Sequence, residues 1–457
     1  MARIFLLAIG SRGDVQSFVA LGSSLVKAGH EVVLATPMGF EKLVGGRGIT
    51  HVEVTRSHHE AEASGLDSDL VETVRRRPVR EVRELIDSLH SHLDEILSVL
   101  PAAAKGADLV LWWDLFGNVG RHVAEALGVP GVACGLNPEN WVSSTIPVPE
   151  PFPWPPRWLP LSWRARYIRF GHAVVLQLYA SLWRSRVNRW RRDVLGLSVL
   201  PHRASAVEKV AAPTMRLSAV SQLVRELPPE WQGQVVQTGY WILPPTKDWV
   251  MPTKLRAFLA DGPPPIFASV GDAGSYPPEL GPTMIEAARS AGVRLVLGSG
   301  WDGMGGLDTD NLPPHVIEAG EVPHEIVFPL MSGIIHHGGG GSTAAALRAG
   351  VPSVALPVFA DQPYWGRRIA ELGVGLKPLP AKKVTVDQLI VAMCRLRSDE
   401  PMRRRAAELG ALLRDEDGVT TAVRTIEALL LDEFDDDLEP RDDTSSTAPM
   451  SSTSHAP

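Results

Sequence analysis

IIHHGGGGSTAAALRAGVPSVALPVFADQPYW, residues 334–365, runs two histidines into four glycines, then a Ser-Thr pair and an alanine-rich stretch. Gly333–His336 reads as a buried strand, Ser342–Arg348 as a helix and Ser353–Leu356 as a second strand. The glycines therefore fill a turn between strand and helix. Without a Cβ, backbone at such a turn can come close to a ligand. A helix start adds unpaired N–H groups and a partial positive charge. Together these describe an anion site, most often one for phosphate, although a plain tight turn would use the same residues. The run is neither G-x-G-x-x-G followed by a suitably placed acid nor G-x-x-x-x-G-K-[ST], so neither of those nucleotide fingerprints applies. Asp361 and Gln362 follow the second strand. In a doubly wound sheet they share with the glycine turn the carboxyl edge, where ligands bind. One feature holds anionic oxygens, and the other offers a carboxylate and an amide to hydroxyls. A diphosphate joined to a polyol is a nucleotide sugar.

The same alternation extends outward. Strands are expected at Ile4–Ile9, Glu31–Ala35, Leu109–Trp113 and Val129–Cys134. Helices are expected over Val15–Ala28, ending at Gly29, and Gly117–Leu127, ending at Gly128. The second half repeats the plan, with strands at Pro265–Val270 and Arg294–Leu297 and a helix over Pro278–Ala291. Strands alternating with helices imply parallel, doubly wound sheets. The 457 residues suit two such domains. The divisions expected are a first lobe over 1–240, a Pro-rich linker over 241–254 and a second lobe over 255–418. A helix over 419–431 and a tail over 432–457 complete the chain; the tail is acidic, then Ser/Thr/Pro-rich, and is expected to be disordered.

A net charge of −7 argues against a general nucleic-acid binder. The two cysteines, Cys134 and Cys394, make no disulfide framework and no thiolate cluster, which fits a reducing compartment. No apolar run reaches spanning length, and MARIFLLAIGSRGD lacks the features of a signal peptide. A cytoplasmic location is expected. Asp308-Thr309-Asp310 spells D-x-D in a polar loop and reads as a solvated turn, as does Asp435–Asp437 in the tail. No His/Cys cluster has ligand spacing, so no metal is expected. Residues 138–192 break the alternation with Pro, Trp and Arg, including Trp154, Trp158 and Trp163. They suit a wall for a bulky apolar ligand, a peripheral membrane contact through 157–192, or simple packing of long surface helices.

The motifs resemble the donor-binding signature of family 1 glycosyltransferases of the GT-B fold, especially bacterial enzymes acting on glycopeptide and polyketide antibiotics and sterol glucosyltransferases. Those carry HHGG-x-GT, A-L-x-x-G-V-P and DQ; this chain has HHGGGGST, ALRAGVP and ADQ. The resemblance implies two Rossmann-like lobes facing across a cleft, with the acceptor in the first and the donor in the second, and a C-terminal helix crossing back to the first. It implies that His337 and Gly339, Gly340, Gly341, Ser342 and Thr343 hold the diphosphate, and that Asp361 and Gln362 bind sugar hydroxyls. Trp301 and Val322 would border the base, with His324 closing that region, while His336 reads as a core-facing strand residue.

Residues 10–17, GSRGDVQS, resemble G-[ST]-R-G-D-V-x-P, in which the acid is the proposed general base. That places Asp14 in the catalytic role, although an Asp ahead of an apolar-periodic helix also suits an N-cap. Arg12, Trp113, Asn137 and Trp141 would contact the acceptor. Asp114 resembles the acid that supports a catalytic His in other members, a role with little sense beside an Asp base.

Two departures stand out. Ser17 replaces a proline. SVGDAGS, residues 269–275, stands where members have GFGS, with Gly271 and Ser275 near the diphosphate. Asp272 there would repel a diphosphate unless it turns away and Ser275 substitutes. The resemblance implies an inverting, metal-independent transferase that uses a UDP- or dTDP-sugar, needs no cofactor and glycosylates a hydroxyl of a large apolar acceptor. The alternatives are an inactive auxiliary partner of such an enzyme and a sugar-nucleotide epimerase.

Overall fold

Two runs of strands in this sequence are apolar on both faces, the pattern of a parallel sheet covered by helices on each side. In β1 (Arg3–Ile9), Ile4 to Ala8 are all fully buried. The computed structural model describes residues 1–436 apart from 56–78, 115–117, 137–142, 144, 147–154, 157, 204–212, 246–248, 271–275, 299–306, 308–310 and 359–360. Asn137, Trp141, Trp154, Gly271, Asp272, Ser275, Trp301 and the D-x-D at Asp308–Asp310 fall outside the described residues, as does the tail beyond Asp436.

The first sheet adds β2 (Glu31–Thr36), β3 (Thr50–Glu53), β4 (Leu109–Asp114), β5 (Gly131–Gly135), β6 (Met215–Ser218) and β7 (Val236–Gln237). Its order is β3-β2-β1-β4-β5-β6-β7, and the pairings are parallel. The second sheet is built from β8 (Ile266–Ser269), β9 (Leu295–Gly298), β10 (Val316–Gly320), β11 (Gly333–His336) and β12 (Ser353–Ala355), in the order β10-β9-β8-β11-β12. Each sheet reverses its winding beside its first strand, between β1 and β4 and between β8 and β11. Those reversals open crevices at the carboxyl edges. The loop after β1 carries Asp14, and the loop after β11 carries the glycines.

Each sheet has an apolar core on both faces. One core under the first sheet gathers Ile4, Leu6, Val15, Phe18 and Leu21. The helix Gly418–Asp436 follows the second sheet in sequence, yet its Ala422, Ile426, Leu429 and Leu430 complete that same core. This helix continues through Asp436, past the point where the acidic tail was expected to begin. Trp241 and Leu243, in the connection between lobes, are also buried there. Trp241 packs edge-on to Phe18 with ring centroids 5.8 Å apart, and its indole donates to Thr238 Oγ1 at 2.9 Å. Another cluster joins the lobes, with Val220 and Val224 against Leu347, Trp365, Ile369 and Leu413.

The first helix runs over Arg12–Lys27 and so begins three residues before the apolar periodicity does. The reason is local. Ser11 sits at the N-cap, and Asp14, three places on, accepts hydrogen bonds from the Ser11 backbone N–H at 2.8 Å and its hydroxyl at 2.9 Å. Asp14 is therefore the reciprocal partner of a capping box, not the N-cap itself.

Candidate active site

At the end of β11 the backbone turns through Gly338, whose φ of +95° suits glycine. A Cβ on Gly338 would lie 2.9 Å from the Gln362 carbonyl oxygen and 3.2 Å from Ala355 Cβ, so the turn is pressed against the end of β12. Gly339 then caps the helix Gly340–Ala349 without a side chain of its own. Thr343, the second hydroxyl of the Ser-Thr pair, is buried and points its Oγ1 back to the Gly338 carbonyl at 3.5 Å.

His336 is buried, and its Nδ1 accepts the Gly338 backbone N–H at 3.1 Å. It is thus a core residue that also orients the glycine turn. His337 lies beside Gly339, and a Cβ there would run into its imidazole. Its Nδ1 is buried with no partner among the described residues. His324 starts the helix His324–Val327 and stacks on Phe328, with centroids 4.1 Å apart. Val322, half-buried, packs into the adjoining core.

Asp361 reaches this helix start from the end of β12. Its carboxyl accepts the Trp365 indole N–H at 2.8 Å and the Gly340 backbone N–H. Burial, with the charge of Asp14 adding to it, pushes its pKa up to about 7. Gln362, also buried, accepts the Val358 backbone N–H at 2.8 Å, which fixes its amide. A Cβ on Gly341 would meet only Gly13 Cα, at 3.7 Å. The starts of two helices, one from each lobe, therefore abut, with Asp14 and Asp361 close enough to feel each other's charge.

Arg12 forms an ion pair with Glu321, which follows β10. The residue expected on the acceptor side thus bridges to the opposite lobe, next to Val322. Trp113, next to last in β4, is half-buried, and its indole N–H has no partner among the described residues. Asp114 closes the same strand, with its side chain outside the described residues. Sequence reading did not bring out Ser11, Glu321 or Trp365. Of these, Ser11 leaves the S-x-x-D spacing of a capping box, and Trp365 lies four places beyond Asp361, one helical turn away.

The buried histidines make the fold acid-sensitive. Burial drives His122 down to about 4, against the pull of Glu125, and His336 to about 3. Both folded values lie below the unfolded 6.5. Their contribution is complete above pH 6.5 and is lost as pH falls toward the folded values, by about 2 kcal/mol each at pH 5. His324 and His337 shift in the same direction. Asp361, raised above its unfolded 3.8, opposes them and gains stability over the same interval. Four histidines outweigh one carboxyl, so urea titrations should show lower stability at pH 5 than at pH 7.5. Equal midpoints and slopes would contradict this.

Residues 4–141 match the glycosyltransferase family 28 N-terminal domain, and residues 301–429 match the erythromycin biosynthesis protein CIII-like C-terminal domain. The O-mycaminosyltylonolide 6-deoxyallosyltransferase of Streptomyces fradiae is 33% identical over 441 residues, covering 93% of this chain and 97% of that protein. A sterol 3-beta-glucosyltransferase of Aspergillus clavatus is 31% identical over 439 residues, but the match covers 93% of this chain and only 29% of that protein. The chain thus spans less than a third of that sterol enzyme's length. The solved structure of the glycosyltransferase VinC in complex with dTDP superposes with a TM-score of 0.63 at 19% identity, covering 94% of this chain and all of that one. The paired switch points, the glycine-led helix start and full-length likeness to a macrolide glycosyltransferase lead to one conclusion: the chain belongs to the family 1 glycosyltransferases of the GT-B fold.

Proposed function

We propose that this protein moves a sugar from a UDP- or dTDP-linked donor onto a hydroxyl of a large apolar acceptor, with inversion and without a metal ion. The observation that carries this reading is the meeting of two helix N-termini across the lobes, with Asp14 and Asp361 between them. Residues 1–240 would hold the acceptor and 255–418 the donor, joined through 241–254, with the last helix bound back on the first lobe. The Gly339–Thr343 backbone, with His337 beside it, holds the diphosphate. The helix dipole stabilises the charge that grows on it as the bond from the anomeric carbon to phosphate oxygen breaks. Asp361 and Gln362 hold sugar hydroxyls, and Val322 and His324 border the base.

Asp14 receives the proton of the acceptor hydroxyl as its oxygen bonds to the anomeric carbon. An aspartate is a weak base for an alcohol, so this transfer comes late, after the leaving bond has largely parted. No side chain forms a bond to the sugar, and a single displacement inverts the anomeric centre. The macrolide and sterol names of the relatives support a rigid apolar acceptor, and the dTDP in VinC supports the nucleotide class. We place the reaction in the cytoplasm, which the free thiols Cys134 and Cys394 suit.

Isothermal titration of UDP and dTDP into the purified protein tests the donor site. Asp14→Asn keeps an acceptor for Ser11 and should leave nucleotide affinity within about twofold, yet lower kcat by about a hundredfold or more. An Asp14→Asn variant that keeps its kcat, or that loses nucleotide binding along with it, would count against the assignment. Failure of a folded protein to bind either nucleotide would favour the auxiliary-partner reading, with Asp272 as the disabling change.

A further inference from the structure

Residues 151–192 contain nine arginines and no acidic residue, in a chain whose net charge is −7. Most of this stretch is one helix, Leu161–Asp193. Its C-terminal half is anchored: Trp183, Val187 and Trp190 lie in the core of the first lobe. Its N-terminal half is held on one side only, through buried Ile168 and His172. Trp163 and Phe170 are 60% and 64% exposed, and Trp158, just ahead of the helix, is 79% exposed. Trp163, Arg166 and Phe170 follow helical spacing and share one face. The Arg166 guanidinium carbon lies 5.8 Å from the centre of the Trp163 ring. Arg169 adds charge to the same exposed turn. Leu178, further along the helix, is 64% exposed as well.

We infer that this face docks on an anionic phospholipid bilayer. Tryptophan and phenylalanine at the headgroup level, with arginines that keep their charge outward, are the means by which a helix lies in a membrane surface. No helix among the described residues is long and apolar enough to cross a membrane, so this helix lies along it. Local positive charge on a net-negative protein gives the attraction a direction, with this side toward anionic lipid. A second copy of the chain fits less well. A two-fold contact would set the arginine-rich face against itself, and like charges oppose that.

The position of the face gives it a use. His172, on the buried side of the helix, donates from Nε2 to the Ile146 carbonyl at 2.9 Å. Ile146 packs with Trp231 and Tyr364, and Tyr364 lies two places after Gln362. The buried side of this helix thus reaches, through Ile146, the cluster that includes Tyr364 of the second lobe. Resting on the transferase reading above, an apolar acceptor dissolved in the bilayer would enter the cleft from this side.

Co-sedimentation with lipid vesicles tests the surface without reference to activity. Wild-type protein should sediment with vesicles containing about one-third phosphatidylglycerol and not with pure phosphatidylcholine, and added salt should weaken the binding. The double variant Trp163→Ser/Phe170→Ser and the pair Arg166→Glu/Arg169→Glu should each lower partitioning by about tenfold or more at unchanged Tm. Leu412→Ser, an exposed leucine of the second lobe, should leave it unchanged. Two results would overturn the inference. One is absent or variant-insensitive binding. The other is a wild-type dimer that Trp163→Ser/Phe170→Ser converts to monomer, which would make the face an interface between copies. Nucleotide titration on the same sample shows separately whether the donor site is intact.

Discussion

Gly341→Glu is expected to raise the dissociation constants for UDP and dTDP by at least about a hundredfold, roughly 2.7 kcal/mol, while leaving the fold in place. Gly341 is exposed, and only Gly13 Cα, at 3.7 Å, borders the position of an added Cβ. A glutamate in the first turn of a helix interacts favourably with the helix dipole, so Tm should hold or rise slightly. The same carboxylate would stand where the proposed diphosphate gathers its hydrogen bonds, and two anions cannot share that site without a large repulsion. Fold and ligand thus respond in opposite directions, which a merely destabilising substitution would not do. Titration calorimetry beside a thermal melt reads both. Undiminished nucleotide affinity in this variant would move the anion site away from the glycine turn.

The second large effect concerns stability. Arg191, on the long helix, has a fully buried side chain. Its guanidinium donates to both oxygens of Glu125, at 2.5 and 2.8 Å, and to His122 Nδ1 at 2.8 Å, while its Nε donates to the Ser198 carbonyl at 2.7 Å. Glu125 and His122 belong to the helix Val119–Leu127, so this cluster clamps two helices of the first lobe together. Hydrogen bonds from Arg191, above all, hold the Glu125 carboxyl down to about 2. That stabilisation is complete above the ordinary carboxylate pKa of 4.5 and disappears as pH falls from there to about 2.

Glu125→Gln would leave a buried guanidinium without its counter-charge and should cost about 3–5 kcal/mol. Arg191→Met should cost less, because Glu125 keeps 29% of its side chain in contact with solvent and can be hydrated. Urea unfolding at pH 7.5 checks both. The reverse ranking would show that packing by the Arg191 stem, not charge pairing, holds the helices. Nucleotide affinity should not change in either variant, since the clamp lies outside the cleft.

The sequence by itself determined the plan of the two lobes. Long apolar runs with parallel-sheet character mark β1, β2, β4 and β8, and the glycine run between β11 and its helix needs no tertiary information to be read as an anion site. These signals are local: periodicity, a missing Cβ and the amides of a helix start. The strands β3, β6, β7 and β10 were not legible, because their polar residues interrupt the apolar run that marks the equally short β9 and β11.

What only the tertiary structure decided depends on residues far apart in the chain. Arg12 pairs with Glu321 across 309 positions. The last helix joins the first lobe's core, although its apolar stripe could equally have covered the second. Asp361 owes its raised pKa to burial and to Asp14, a charge in the other lobe. No local pattern encodes such pairings. They arise when the lobes close on one another, and the cost of that closure is met by apolar burial spread over residues from both halves of the chain.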